Sequence, residues 1–235
     1  MKIYIYTILI LVALIFAVTV MDSKPTSADL AVLYDVTDKH LARPHAEEII
    51  RLYDFSESRW NGGIFHFVDL SDVSYTRTQE KKIEPVGKWL SNEIQRDKDI
   101  ENFQKGITEI IYNAEHEVIG KNHSSIYLPI ARELNKLSQS KSEKRVLLVY
   151  SDLMENRSAL SFYNNKTFQL LKSDPDRTRN FFEVEQPLNS LTGIEVYLLF
   201  QPVDTIQDDQ FKVVSEFYRK LLNDKGAQVT VSANL

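Results

Sequence analysis

Two short runs constrain this chain more than anything else in it. Residues 30–34 read LAVLY and residues 145–150 read RVLLVY, and they lead into Asp35 and into Ser151-Asp152. A strand that is apolar on both faces has to be covered on both faces, as in a parallel sheet layered between helices. Further runs follow the same logic. Residues 64–70 (IFHFVDL) and 194–200 (IEVYLLF) are expected as strands, a short one is expected within residues 73–84, and residues 228–231 form a β-rich tail.

Between these runs the period changes to that of helices. Residues 45–55 carry Ile49, Ile50, Leu52 and Tyr53 at helical spacing, and residues 93–118 carry Phe103, Ile107, Ile110 and Ile111 on one stripe. Residues 126–137 (IYLPIARELNKL) are a third helix with Ser124 and Ser125 as candidate N-caps. Residues 211–222 are a fourth, stopped near Gly226, and Trp60-Asn61-Gly62-Gly63 punctuates the first half. Strands alternating with helices predict an α/β fold: three layers, doubly wound and Rossmann-like, with a mostly parallel sheet. In such sheets ligands sit beyond the carboxyl ends of the strands, where the winding reverses. Two strands that end in aspartate therefore attract attention.

Composition narrows the chemistry. The 235 residues include 33 Asp and Glu against 28 Lys and Arg, a net charge of -5, so no overall basic field exists to hold nucleic acid. There is no cysteine, which excludes disulfides, zinc ribbons and thiol nucleophiles and leaves metal binding to oxygen ligands. No Gly-rich phosphate loop, GxSxG or HExxH motif occurs, and the five histidines lack the i, i+4 spacing of a helical metal pair. Of these, His123 alone adjoins the Ser124 loop.

Residues 3–20, IYIYTILILVALIFAVTV, form an uncharged stretch behind Lys2. As a helix it would span roughly 27 Å, close to the hydrocarbon thickness of a bilayer. Residues 1–24 are therefore read as a transmembrane anchor or a signal peptide, and residues 25–235 as one domain. The expected localisation is membrane-anchored with an extracytoplasmic body, or secreted if the segment is cleaved. The charged run 96–101 is read as a solvated helix face, and Trp60 and Trp89 as packing residues.

Asp35 is followed by Thr37, so a carboxylate and a hydroxyl leave the first strand on one side of the chain. With Ser124 before the third helix, or Ser125 in its place, and Asp152 after the strand at 145–150, this order resembles the von Willebrand factor type A fold and its metal-ion-dependent adhesion site. The resemblance covers about residues 29–232. It implies a binding module rather than an enzyme, with Mg²⁺ held by Asp35, Thr37, Ser124 and Asp152 and completed by an acidic group of a protein partner. Lys39 stands where the family has a second serine, so its ammonium either points away or replaces part of the ion's charge. The metal-free alternative is a scaffold of the same fold that uses Lys39, Glu155 and Asn156 as contact residues. A third reading is similar to haloacid dehalogenase-like phosphatases, with Asp35 as nucleophile, but that chemistry wants an acid two residues on and Thr37 stands there. No catalytic residue and no small-molecule substrate is expected.

Overall fold

In the computed structural model the residues described are 24–35, 42–70, 78–88, 92–116 and 124–235. Thr37, Lys39, Trp89, His123 and residues 3–20 lie outside them. No helix among the described residues is long and apolar enough to cross a membrane.

The elements run β1 (Ser27–Asp35), α1 (Ala46–Arg51), β2 (Gly62–Leu70), β3 (Thr78–Ile83), α2 (Glu93–His116), α3 (Tyr127–Gln139), β4 (Lys144–Tyr150), α4 (Asn165–Ser173), α5 (Pro175–Glu185), β5 (Glu195–Leu199), α6 (Thr205–Asn223) and β6 (Gln228–Ser232). They build one six-stranded sheet in the order β3-β2-β1-β4-β5-β6, parallel throughout except for β3. The α/β, mostly parallel, doubly wound architecture expected from the sequence is the one observed.

The apolar runs have the environment their composition demands. In β1 every residue from Ala28 to Asp35 is buried, and so is β4 from Val146 onward. Alternate residues feed two cores. Ala31, Leu33, Leu147 and Val149 pack with Ile130, Leu134, Phe182 and Tyr218 on the face covered by α3, α5 and α6. Leu30, Val32, Val146 and Leu148 pack with Ile49, Tyr53, Phe103 and Ile107 on the face covered by α1 and α2. The Gly62-Gly63 pair opens β2 rather than separating elements. A Cβ on Gly63 would stand 2.6 Å from the Tyr53 ring, so that close approach requires glycine.

Three sequence expectations change. Arg96 is not on a solvated face: it is buried and donates to the carbonyls of Arg59 (2.7 Å), Glu84 (2.9 Å) and Asn61, tying the start of α2 to the loops beneath it. Helices α4 and α5 fill a stretch for which periodicity predicts no element. Both begin at capped N-termini, with Asn164 accepting from the amides of Lys166 and Thr167 and Asp174 from that of Arg177. Finally, α3 has no side-chain cap from its own N-cap residue, Ile126, and takes one from elsewhere.

Candidate functional site at the carboxyl end of the sheet

The chain winds outward from β1 through β2, then returns to lay β4 on the other side of β1. The switch point of the fold is thus the β1–β4 gap, where Tyr34 and Tyr150 are register partners. The residues that follow, Asp35 and Ser151, meet directly: the Ser151 hydroxyl donates to Asp35 Oδ2 at 3.0 Å, and both side chains are buried. Ser151 Oγ also accepts from the amide of Leu153 at 3.0 Å.

Asp152 turns the other way. Its Oδ1 accepts from the amide of Met154 (2.8 Å) and its Oδ2 from the hydroxyl of Tyr163 (3.1 Å). The two side chains bracket Leu153, a buried non-glycine residue at φ 62°. Left-handed backbone costs an L-residue about 1–2 kcal/mol, and the hydrogen bonds from Ser151 and Asp152 hold the turn in it. Asp152 is therefore engaged in shaping its own loop.

Ser124 is buried and pairs with Asn156 through two backbone hydrogen bonds, of 3.2 and 2.9 Å, which lash the start of α3 to the loop after β4. Its hydroxyl lies 3.4 Å from the carbonyl of Met154. Ser125 is buried as well, and its Oγ has no hydrogen-bond partner among the described residues. The candidate N-cap serines thus do not cap.

The cap comes from Glu155, whose Oε2 accepts from the amides of Ile126 (3.1 Å) and Tyr127 (2.9 Å). Glu155 is fully buried, so it cannot serve as the surface contact residue that the metal-free reading made of it. Its other oxygen pairs with Arg157 Nε, and the Arg157 guanidinium forks onto Glu185 at 2.5 and 2.8 Å. Burial pushes the Glu155 carboxyl above its usual range, opposed by Arg157 and the two α3 amides. Tyr127 completes the unit by donating to the carbonyl of Gln186 at 2.6 Å and stacking on Phe182, with centroids 4.1 Å apart. A carboxylate that reaches a helix N-terminus from about 30 residues away leaves no local signal, so a reading by motif passes over it.

The structure thus brings together Asp35 and Ser151, and separately Ser124, Ser125 and Glu155 around the start of α3. No group of three His, Asp or Glu residues able to hold a metal exists among the described residues. The oxygen-only donors at this end match the preference of a hard cation, although both oxygens of Asp152 are already engaged. Around this end the surface carries large exposed apolar side chains: Tyr163 (54%) beside Asp152, and Val203 (60%) and Ile206 (68%) where β5 passes into α6.

No protein-family model matches the chain, and comparison with curated proteins gives no match. Among solved structures the chain is similar to an aerotolerance-related membrane protein from Bacteroides fragilis, crystallised with multiple mutations to serines. The identity is 10% and the TM-score 0.34, over 87% of this chain and 91% of that one.

Proposed function

We propose that this protein is a membrane-anchored interaction module of the von Willebrand factor type A kind, with its body outside the cytoplasm, which engages a protein partner through the carboxyl-end loops. The observation that carries the reading is the switch-point pair of Asp35 and Ser151, at the same end of the sheet as the Ser125 hydroxyl, which has no partner among the described residues, and the exposed Tyr163, Val203 and Ile206. Buried polar atoms without partners are uncommon and ask for an explanation, and exposed apolar groups beside a polar centre are a usual feature of protein-binding surfaces.

In the cation-dependent form of this proposal, Asp35, Thr37 and Ser124 or Ser125 hold Mg²⁺, Asp152 reaches it through water, and an acidic partner group completes the shell. The role is binding, with Asp35 a ligand rather than a nucleophile. The engagement of both Asp152 oxygens supports the second reading, a metal-free scaffold that uses the same rim.

Thermal unfolding of the detergent-solubilised full chain, stripped with chelator and then titrated with Mg²⁺ or Mn²⁺, separates the two. A ligand bound only by the folded state at a hundred times its Kd adds about 2.7 kcal/mol, or roughly 5–10 °C for a domain of this size. The cation-dependent form predicts that rise in the wild type and its loss in Asp35→Ala. A midpoint indifferent to both metals removes the cation and leaves the metal-free rim.

A further inference from the structure

A cleft of about 870 Å³ lies at the opposite end of the sheet, below the amino ends of the strands. Phe55, Trp60 and Ile100 form its apolar wall, and Lys24, Arg59 and Lys88 supply its cations. The Phe55 ring is held by stacking on Tyr53 at 5.8 Å and an edge contact with Phe103 at 5.9 Å, so the wall is continuous with the core. Glu57 and Asp97 also line the cleft. Arg59 is shared between Asp97 at 3.3 Å and Glu93 at 3.5 Å, exposed pairs that themselves contribute little. Lys24 and Lys88 are exposed at the rim.

Chain length places this cleft. The apolar run ends at Val20, and Lys24, four residues on, already lines the cleft. Four residues reach at most about 14 Å, comparable with the headgroup layer and the screening length beyond it. We infer that the cleft is a docking site for an anionic phospholipid headgroup, with Lys24 and Lys88 at its rim facing the phosphate and Trp60 and Phe55 facing the glycerol and upper acyl region. This inference rests on the anchor reading. Tryptophan favours the interfacial depth for the same reason, being apolar in body and polar at one edge. The consequence is orientational. The amino ends of the strands sit on the bilayer, and the Asp35–Ser151 end is held away from it by the length of a nine-residue strand, roughly 30 Å.

The test uses the full chain in nanodiscs. With Trp89→Phe, Trp60 is the sole tryptophan, because the chain has 2. Headgroup spin-labelled lipid is expected to quench Trp60 at least threefold more steeply than a tryptophan placed at the far end by Tyr163→Trp in a Trp60→Phe, Trp89→Phe background. Replacing neutral lipid with phosphatidylglycerol should steepen the quenching, and Lys24→Glu with Lys88→Glu should abolish that gain, since both residues are exposed and their change leaves the core intact. Hydrogen exchange of residues 55–60 reads the same contact without any tryptophan change, with protection expected in anionic discs only. If the chain resists alkaline carbonate extraction yet Trp60 is no more quenched than the far-end probe, the headgroup site is wrong and the anchor stands. Quenching that ignores lipid charge and the lysine reversals also overturns it. If carbonate strips the chain from the discs, the anchor reading and this site fall together.

Discussion

Asp35 and Glu155 are both buried carboxylates at the same end of one sheet, and the protein surrounds them differently. Glu155 faces two helix amides and a guanidinium that is itself held by Glu185, so its charge is met by cationic and dipolar partners fixed in place. Asp35 is met by the neutral hydroxyl of Ser151, at the switch point, next to a loop held in left-handed backbone. The first arrangement caps α3 and closes the fold around its start. The second is a carboxylate at the place where sheets of this kind bind ligands. The contrast teaches that burial alone does not mark a functional acid; what distinguishes the two is position, one carboxylate capping the start of α3 and the other ending β1 at the switch point.

Breaking the Glu155 centre should have the largest effect. Glu155→Ala strips two helix amides and Arg157 of their partner, and a loss of about 3–5 kcal/mol is expected in urea unfolding. Arg157→Met leaves the buried carboxylate without its cation and should cost nearly as much. The double change Glu155→Leu with Arg157→Met should cost clearly less than the sum of the two single changes, because no unpaired charge is left. Additive costs would mean that the two residues do not act as a unit.

At the rim the effects should be smaller. Asp152→Ala removes the acceptors for Met154 and Tyr163 and is expected to cost about 1 kcal/mol, measured by the same unfolding curve. A loss as large as that of Glu155→Ala would show that the rim loop is held as tightly as the Glu155 centre.

The smallest effect should appear as a slope. His66 on β2 lies between Asp29 at 3.3 Å and Glu80 at 3.5 Å. Burial pulls its pKa down, but the Asp29 hydrogen bond and the charges of Asp29, Glu133 and Glu80 outweigh it, so the pKa is raised from 6.5. A pKa raised by folding contributes stability that is full below 6.5 and is lost as pH rises through the folded value. His66→Gln should therefore flatten the stability profile above pH 6.5, measured by thermal unfolding at a series of pH values. An unchanged pH profile would show that the pair with Asp29 is not held in solution.

The strands were largely legible because burial on both faces writes itself as uninterrupted apolar sequence, in β1 and β4 above all. The amphipathic stripes of α2 and α6 were legible because burial on one side of a helix leaves an apolar period of its own. Helix α5 was not, since among its eleven residues only Thr178 and Phe182 are buried and no stripe stands out; its one local signal is the capping Asp174 before Pro175. Arg96 sits among charged neighbours and looks solvated until the carbonyls of Arg59, Asn61 and Glu84 converge on it from distant loops. Asp35 and Asp152 could be proposed because they end strands, but their different engagement depends on Ser151, Leu153 and Tyr163, whose roles arise only in the folded loop. Glu155 was invisible as a cap because the helix it serves begins 28 residues earlier.

The most direct test is calorimetric titration of Mg²⁺ into chelator-stripped full chain, comparing wild type, Asp35→Asn and Glu155→Gln. Binding is expected in the wild type, none in Asp35→Asn, and binding retained in whatever fraction of Glu155→Gln is folded. Binding to Asp35→Asn that equals the wild type, or no binding to the wild type, would contradict an ion site at the β1–β4 switch point.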